Sequence, residues 1–238
     1  PMPAIHGRVC YHPCESACNR GKLDSSVSIH AVERFLGDLA LQENWQFEVT
    51  AQPTGKRVLV VGAGPSGLSA AYHLARMGHE VEIHEAGPMA GGMMHFGIPS
   101  YRLPRDVLDA EIKRIENMGV KIVLNHRVDD LLAEKRQGDF DAIFVAVGAH
   151  ISKRTDIPAR DAGKMFDAIS FLKDVESGNA PKLGRRVAIY GGGNTAMDAA
   201  RVAKRLGYEP LIIYRRDRAH MPANEFEADE ALEEGVKI

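Results

Sequence analysis

The sequence predicts an α/β fold containing two dinucleotide-type βα units, and three observations in its 238 residues carry that prediction. Two apolar runs, Arg57 to Val61 and Arg186 to Tyr190, each lead into a glycine-rich turn and then into a helix of small residues. Four amphipathic stretches end in glycine and are followed by a short apolar run. These are Met77-Gly78 before Val81 to His84, Met118-Gly119 before Val120 to Leu124, Leu206-Gly207 before Leu211 to Tyr214, and Glu234-Gly235 before Val236. Glycine supplies the left-handed residue that ends a helix, and short β-branched runs suit buried parallel strands. The resulting strand–helix alternation is that of a parallel sheet with right-handed crossovers.

The elements follow in order. Ile29, Val32, Leu36 and Leu39 form an apolar stripe at helical spacing, which predicts a helix from about Val27 to Leu41 with Ser26 or Ser28 as its cap. Asn44 to Gly55, with Trp45 and Pro53, reads as a connector to the first βα unit. Between Leu103 and Met118 the positions Leu108, Ile112 and Ile115 share one helical face, and Pro104 suits a first helical turn. A second connector, rich in charge and containing Pro158, runs from His150 to about Gly163. The domains expected are a helical module at 1–54, a first nucleotide-binding domain at 55–155 and a second at 156–238. Both ends read as cut: no clear element precedes the cysteines, and Val236 to Ile238 repeat the start of the Val120 to Leu124 run, as though a strand began there. A fragment of a longer chain is the expectation.

Composition sets the outer limits. Lys+Arg 30 against Asp+Glu 32 leaves a formal charge of -2, so bulk attraction to nucleic acid or to an anionic membrane is not expected. No run approaches the roughly 20 apolar residues of a membrane helix, and no signal-peptide core opens the chain, which together predict a cytoplasmic protein. The only cysteines, Cys10, Cys14 and Cys18, form a C-x3-C-x3-C cluster. Such crowding points to metal or redox chemistry, with iron–sulfur ligation first and zinc second, because zinc's closer pairs and matching histidines are missing.

The first fingerprint is Gly62-Ala63-Gly64-Pro65-Ser66-Gly67. Gly62 permits the tight turn, Gly64 lets the backbone approach a pyrophosphate, and Gly67 lets the helix pack closely on the strand. The helix start then offers amide groups and a positive dipole end to phosphates. The next strand ends at Glu85, where a carboxylate would meet ribose hydroxyls. The second fingerprint, Gly191-Gly192-Gly193-Asn194-Thr195-Ala196, replaces the third glycine with alanine, an accepted variant. Its following strand ends in Arg215-Arg216, which suits the 2′-phosphate of NADP; the bland reading is a solvated basic turn. Two sites with opposite ribose chemistry point to a flavin–nicotinamide pair. A disulfide reductase is excluded by this reading, since it needs a redox cysteine pair beyond the first fingerprint and no cysteine follows Cys18.

In these motifs the chain resembles the glutamate synthase small-subunit family of iron–sulfur flavoproteins, and it is similar to the N-terminal half of dihydropyrimidine dehydrogenase. The resemblance runs through Gly7-Arg8-Val9-Cys10, Pro13 to Cys18, Val27-Ser28-Ile29 with Glu33-Arg34, the first fingerprint and Gly91-Gly92-Met93. It continues through Phe96-Gly97-Ile98-Pro99, Tyr101 to Pro104, Ala146-Val147-Gly148, Gly191 to Asp198 and Tyr214-Arg215-Arg216.

The resemblance implies FAD on Gly62, Gly64, Pro65, Ser66, Gly67 and Glu85, with Gly92 and Met93 along its path. It also implies Ile98 and Pro99 near the flavin ring, Val128 at the adenine and Gly148 closing an alanine–threonine–glycine strand in which Val147 replaces the threonine. NADPH is implied on Gly191, Gly193, Asn194, Thr195 and Ala196, with Arg215 and Arg216 on its 2′-phosphate. Two [4Fe–4S] clusters are implied in the helical module: Cys10 and Cys14 would serve one, with Glu33 at a non-cysteine ligand position, and Cys18 the other. On its residues alone Glu33 is equally a solvated helix-face carboxylate.

Upstream cysteines and a downstream glycine–aspartate FAD motif of the family are absent from these residues. The expected role is electron input from NADPH through FAD and the clusters to a catalytic oxidoreductase subunit, such as a glutamate synthase large subunit, or to a ferredoxin-type protein. A nucleotide-binding docking module and the reverse reaction are the alternatives. The histidines His73, His84, His126 and His150 read as packing or surface residues, while His6 and His12 flank the cysteines and either tune a cluster or sit in solvated loops.

Overall fold

The computed structural model describes residues 1–149 and 164–238, so the expected second connector and the 155/156 boundary lie outside the described residues. The chain divides into two compact units, one of residues 1–95 and 100–148, the other of residues 96–99 and 149–238.

The first unit opens with α1 (Pro3–Val9), α2 (Pro13–Ser16) and α3 (Ile29–Gln42). There follow β1 (Arg57–Val61), α4 (Pro65–Arg76), β2 (Glu80–His84), α5 (Met93–Phe96), α6 (Arg105–Glu116), β3 (Lys121–Val123), α7 (Leu131–Gln137) and β4 (Ala142–Val145). The four strands form a parallel sheet in the order β3-β2-β1-β4, with Val58 opposite Val81 and Ala142. Leu59, Val60 and Ile83 are fully buried in it, as are Leu68 of α4 and Leu108 and Ile115 of α6. The α6 face is therefore the one its spacing predicted, but Pro104 stands at the N-cap, just outside the first turn.

The stripe on α3 behaves otherwise. Helix and cap fall at the expected place, with Ser28 at the N-cap, although its side chain makes no capping bond. Ile29, Val32 and Leu36 are exposed, and the face that packs is Gly37 and Ala40. The reason is a close crossing with α1. A Cβ at Gly7 would stand 2.4 Å from the Arg34 Cα, and one at Gly37 would stand 2.4 Å from the Ala4 nitrogen. Helices that touch backbone to backbone at small residues turn their larger side chains away from the contact. The α1 start is tied down by Glu111, which is fully buried: its carboxylate accepts the Ala4 N–H at 2.7 Å and pairs with Arg114 at 3.0 Å. Arg114 in turn donates to the Trp45 carbonyl at 2.9 Å and covers the Phe47 ring. Burial pushes the Glu111 carboxyl up, against the opposing pull of the Ala4 amide and Arg114.

The second unit contains α8 (Ala168–Glu176), β5 (Arg186–Tyr190), α9 (Asn194–Arg205), β6 (Glu209–Ile213) and α10 (Glu225–Glu233). Strands β5 and β6 are parallel, and Lys237 makes a parallel bridge to Leu211, where Val236 to Ile238 were expected to begin a strand. Met197, Ala200, Ile212, Ala228, Ala231 and Val236 form its core. The four glycines expected to end helices, Gly78, Gly119, Gly207 and Gly235, have φ of 85°, 94°, 90° and 81°. Each is left-handed, as a helix stop requires.

Candidate functional site: two glycine turns and a cysteine segment

At the first turn, β1 delivers Gly62 with φ 105°, and its N–H donates to the His84 carbonyl at 2.8 Å, locking the turn to the end of β2. A Cβ at Gly67 would lie 1.9 Å from the Gly62 carbonyl oxygen, so helix and turn meet at a separation only glycine allows. At Gly64 a Cβ would meet nothing within 4 Å. The backbone there faces open space, which fits the approach of a pyrophosphate. Pro65 opens α4 at a position where its missing N–H costs nothing, and Pro65 and Ser66 are exposed at the helix start. Gly92 lies over the turn, where a Cβ on it would come 2.8 Å from the Gly64 Cα, and the Gly91 N–H donates to the Ala63 carbonyl at 2.8 Å. Met93 begins α5, half-buried.

Glu85 follows β2 directly. Its carboxylate accepts the Ala63 N–H at 2.7 Å and the Gly87 N–H at 2.7 Å. The carboxylate expected at a ribose therefore sits at the glycine turn, held by two amides. Val128 packs its side chain against the cluster of Leu59, Val61 and Phe140. Gly148 is exposed with φ 70° beyond β4. Ile98 and Pro99 group with the second unit.

The second turn repeats the first. The Gly191 N–H donates to the Ile213 carbonyl at 3.0 Å, the counterpart of the Gly62 bond. Gly193 caps α9 in extended geometry, and Ala196 is buried in its first turn while Thr195 is exposed. The Asn194 side-chain oxygen accepts the Asn224 N–H at 2.8 Å, so this part of the residue braces the neighbouring loop. Tyr214, which the sequence placed only at the end of an apolar run and in a motif, lays its ring against the turn: a Cβ at Gly192 would come 2.6 Å from it. Arg215 and Arg216 are exposed immediately after β6, with no hydrogen-bond or ion-pair partner among the described residues. Arg218, three residues on, is paired with Asp229. Both charges are thus free, a condition that a 2′-phosphate site and a solvated basic turn share.

In the cysteine segment, Cys10 ends α1, Cys14 lies in α2 and Cys18 precedes a 3-10 turn at Asn19–Lys22. All three are free thiols, and Cys10 and Cys14 are exposed. Backbone N–H groups of Val27, Arg20 and Gly21 hold the Cys18 thiol below its ordinary range. Amides donating to sulfur are what a cluster-bound thiolate uses. His12 donates its backbone N–H to the Cys10 sulfur at 3.3 Å. Glu33 faces His6 at 3.6 Å and lines a shallow apolar hollow with Pro3, Val27, Ile29, Val32 and Leu36. Among the described residues, the histidine, cysteine and carboxylate group whose ligand atoms lie close together is elsewhere, at His84, His126 and Glu134.

This fold, with its two glycine turns, defines a tandem dinucleotide-binding protein of the oxidoreductase class. Residues 56–238 match the model of the pyridine nucleotide-disulphide oxidoreductase family, a second match covers 27–136, and residues 1–45 match dihydropyrimidine dehydrogenase domain II, 4Fe-4S cluster. The chain belongs to the pyridine nucleotide-disulphide oxidoreductase family. It is 43% identical over 262 residues to the NADP(+)-dependent formate dehydrogenase subunit beta of Moorella thermoacetica, covering 99% of this chain and 37% of that protein. It is 34% identical over 258 residues to the glutamate synthase [NADPH] small chain of Escherichia coli, covering 100% of this chain and 54% of that protein. The chain thus spans between about a third and about half of these relatives. Among solved structures, Mycobacterium tuberculosis FprA in complex with NADPH superposes with a TM-score of 0.64 over 77% of this chain and 48% of that one, at 21% identity, a likeness of fold. No helix among the described residues is long and apolar enough to cross a membrane.

Proposed function

We propose that the chain is part of an electron-input subunit, in which NADPH is oxidised at the second turn, FAD is held at the first, and electrons leave through [4Fe–4S] clusters to a catalytic partner subunit. The observation that carries this reading is the opposite charge that follows the two otherwise matching turns: Glu85 after β2, and the unpaired Arg215 and Arg216 after β6. A carboxylate accepts from ribose hydroxyls and repels a 2′-phosphate, whereas guanidinium groups bind that phosphate bidentately. When bound, the flavin would supply the change from two-electron hydride chemistry to the one-electron steps that clusters carry.

This chain's residues supply position and charge. Gly64, Pro65, Ser66 and Gly67 would present open backbone and a helix start to the FAD pyrophosphate, and Gly92 and Met93 would cover it. Glu85 would exchange its bonds to Ala63 and Gly87 for the ribose. Val128, Ile98, Pro99 and Gly148 are proposed FAD neighbours. Gly191, Gly193, Thr195 and Ala196 would cradle the NADPH phosphates, with Asn194 holding the loop. Cys10, Cys14 and Cys18 would each give a thiolate, Glu33 is proposed beside them, and a full set takes ligands from outside these residues.

The names of the relatives support a partnered subunit, one serving formate dehydrogenase and one glutamate synthase. The partner of this chain is proposed to be a catalytic oxidoreductase subunit of that general kind. The first of those names also supports a second reading, in which the same centres run toward NADP(+) reduction. The test is anaerobic addition of NADPH to the purified full-length protein. Stoichiometric flavin that bleaches, followed by reduction of cluster signals, is expected. A protein that binds NADPH yet carries neither flavin nor cluster would instead be a docking module.

A further inference from the structure

His84, His126 and Glu134 come from three elements of the first unit: the end of β2, the loop after β3 and α7. Each offers one ligand atom, and these atoms all lie within 4.8 Å of one another. His84 Nδ1 is 3.0 Å from Glu134 Oε1, and His126 Nε2 is 2.8 Å from the same oxygen. Donors bound to one zinc at 2.0–2.1 Å in tetrahedral array stand about 3.3 Å apart, so a small inward or outward shift seats an ion.

The other nitrogen of His84 makes the arrangement informative. Nε2 lies 3.0 Å from Glu82 Oε1. Lys121 Nζ donates to the same Glu82 oxygen at 3.0 Å, so Glu82 acts as an acceptor there. In the tautomer that donates Nε2–H to Glu82, Nδ1 carries a lone pair. Nδ1 is buried, stands 3.0 Å from Glu134 Oε1 and has no hydrogen-bond partner. The His84 side chain is 7% exposed, which leaves Nδ1 little access to water. A cation within reach of both atoms would give Nδ1 a partner. Histidine ligands that pass their second N–H to a carboxylate are the usual outer support of a metal site.

We propose that His84 Nδ1, His126 Nε2 and Glu134 Oε1 form a binding site for a divalent transition-metal ion of the zinc type, with Glu82 orienting His84. Two imidazoles and one carboxylate suit zinc with a water in the fourth position. The ion would staple β2, the loop after β3 and α7 together. The His126 backbone N–H already donates to the Glu85 carbonyl at 2.8 Å, so the staple would brace the strand end that carries Glu85. The proposal is independent of which dinucleotide the first turn holds.

The test is equilibrium dialysis of the full-length protein against Zn2+, with bound zinc counted by mass spectrometry in the wild type, Glu134→Gln and His126→Ala. Glu134→Gln keeps size and an acceptor oxygen, and circular dichroism confirms that each variant is folded. One more zinc per chain in the wild type than in either folded variant, with an N/O shell and imidazole scattering at the zinc X-ray absorption edge, is expected. Zinc should also raise the melting temperature of the wild type alone. Equal zinc in wild type and folded Glu134→Gln, or a zinc shell of sulfur only, overturns the proposal.

Discussion

Replacing Gly67 and Gly64 separately by alanine separates the packing role of the first turn from its binding role. At Gly67 the new Cβ would sit 1.9 Å from the Gly62 carbonyl oxygen, more than an ångström inside any tolerated contact, and the obstacle is backbone. Overpacking of that kind costs about 3 kcal/mol at the upper end of its usual range. The alanine recovers about 1 kcal/mol of helix propensity, leaving a net loss of about 2 kcal/mol. For a domain of this size that is a fall in melting temperature of about 4–8 °C. Gly64 has φ -75° and ψ -178°, which alanine adopts freely, and its Cβ would meet nothing within 4 Å. Gly64→Ala should therefore melt with the wild type while retaining far less flavin, because the methyl stands where the pyrophosphate must approach. Melting curves of both apoproteins and flavin content after purification read this out. A Gly67→Ala protein as stable as wild type, or a Gly64→Ala apoprotein that loses the same stability, would refute the reasoning.

Two further outcomes follow from the buried charges. Glu111→Ala should cost about 3–5 kcal/mol in urea unfolding, since it strands Arg114 in the interior and releases the Ala4 amide, with Glu111→Gln milder. On acidification, Glu82 and Glu234 should give up stability. Burial opposes ionisation of both, but His84 with Lys121, and Arg201 with Arg205, hold their folded-state values below the ordinary range. A depressed carboxylate contributes stability above its unfolded value and loses it as pH falls through the folded one. Glu111, raised by burial, has the opposite sign, contributing most below its unfolded value and losing that contribution as pH rises through the folded one. Urea midpoints across the acid range should thus fall less steeply in Glu82→Gln than in wild type.

Much of the architecture was legible because it is local. The four helix-ending glycines, the two strand-to-glycine turns and the buried face of α6 all follow from spacing within a dozen residues. What escaped depends on neighbours distant in sequence. The α3 stripe marked the helix, but α1 packs on the neighbouring side through Gly7 and Gly37, and the only trace in the sequence was the small residues themselves. Glu111 interrupts the apolar run Leu108, Ile112, Ile115, and a carboxylate there marks a buried partner that the sequence could not name. His84 and His126, read as packing or surface residues, are brought together by the parallel pairing of β2 with β3, and α7 adds Glu134. Arg215 and Arg216 were legible by position, yet only the fold shows Arg218 engaged and these two free.

The proposed assignment of the two nucleotides by charge at the strand ends is tested most directly by the preference for NADPH over NADH in flavin reduction, measured in wild type and in Arg215→Ala/Arg216→Ala. Losing two charge-assisted contacts of at least 1.5 kcal/mol each should cost about 3 kcal/mol, near a hundredfold in kcat/KM for NADPH, with NADH little changed. An unaltered preference in the double variant would contradict the account.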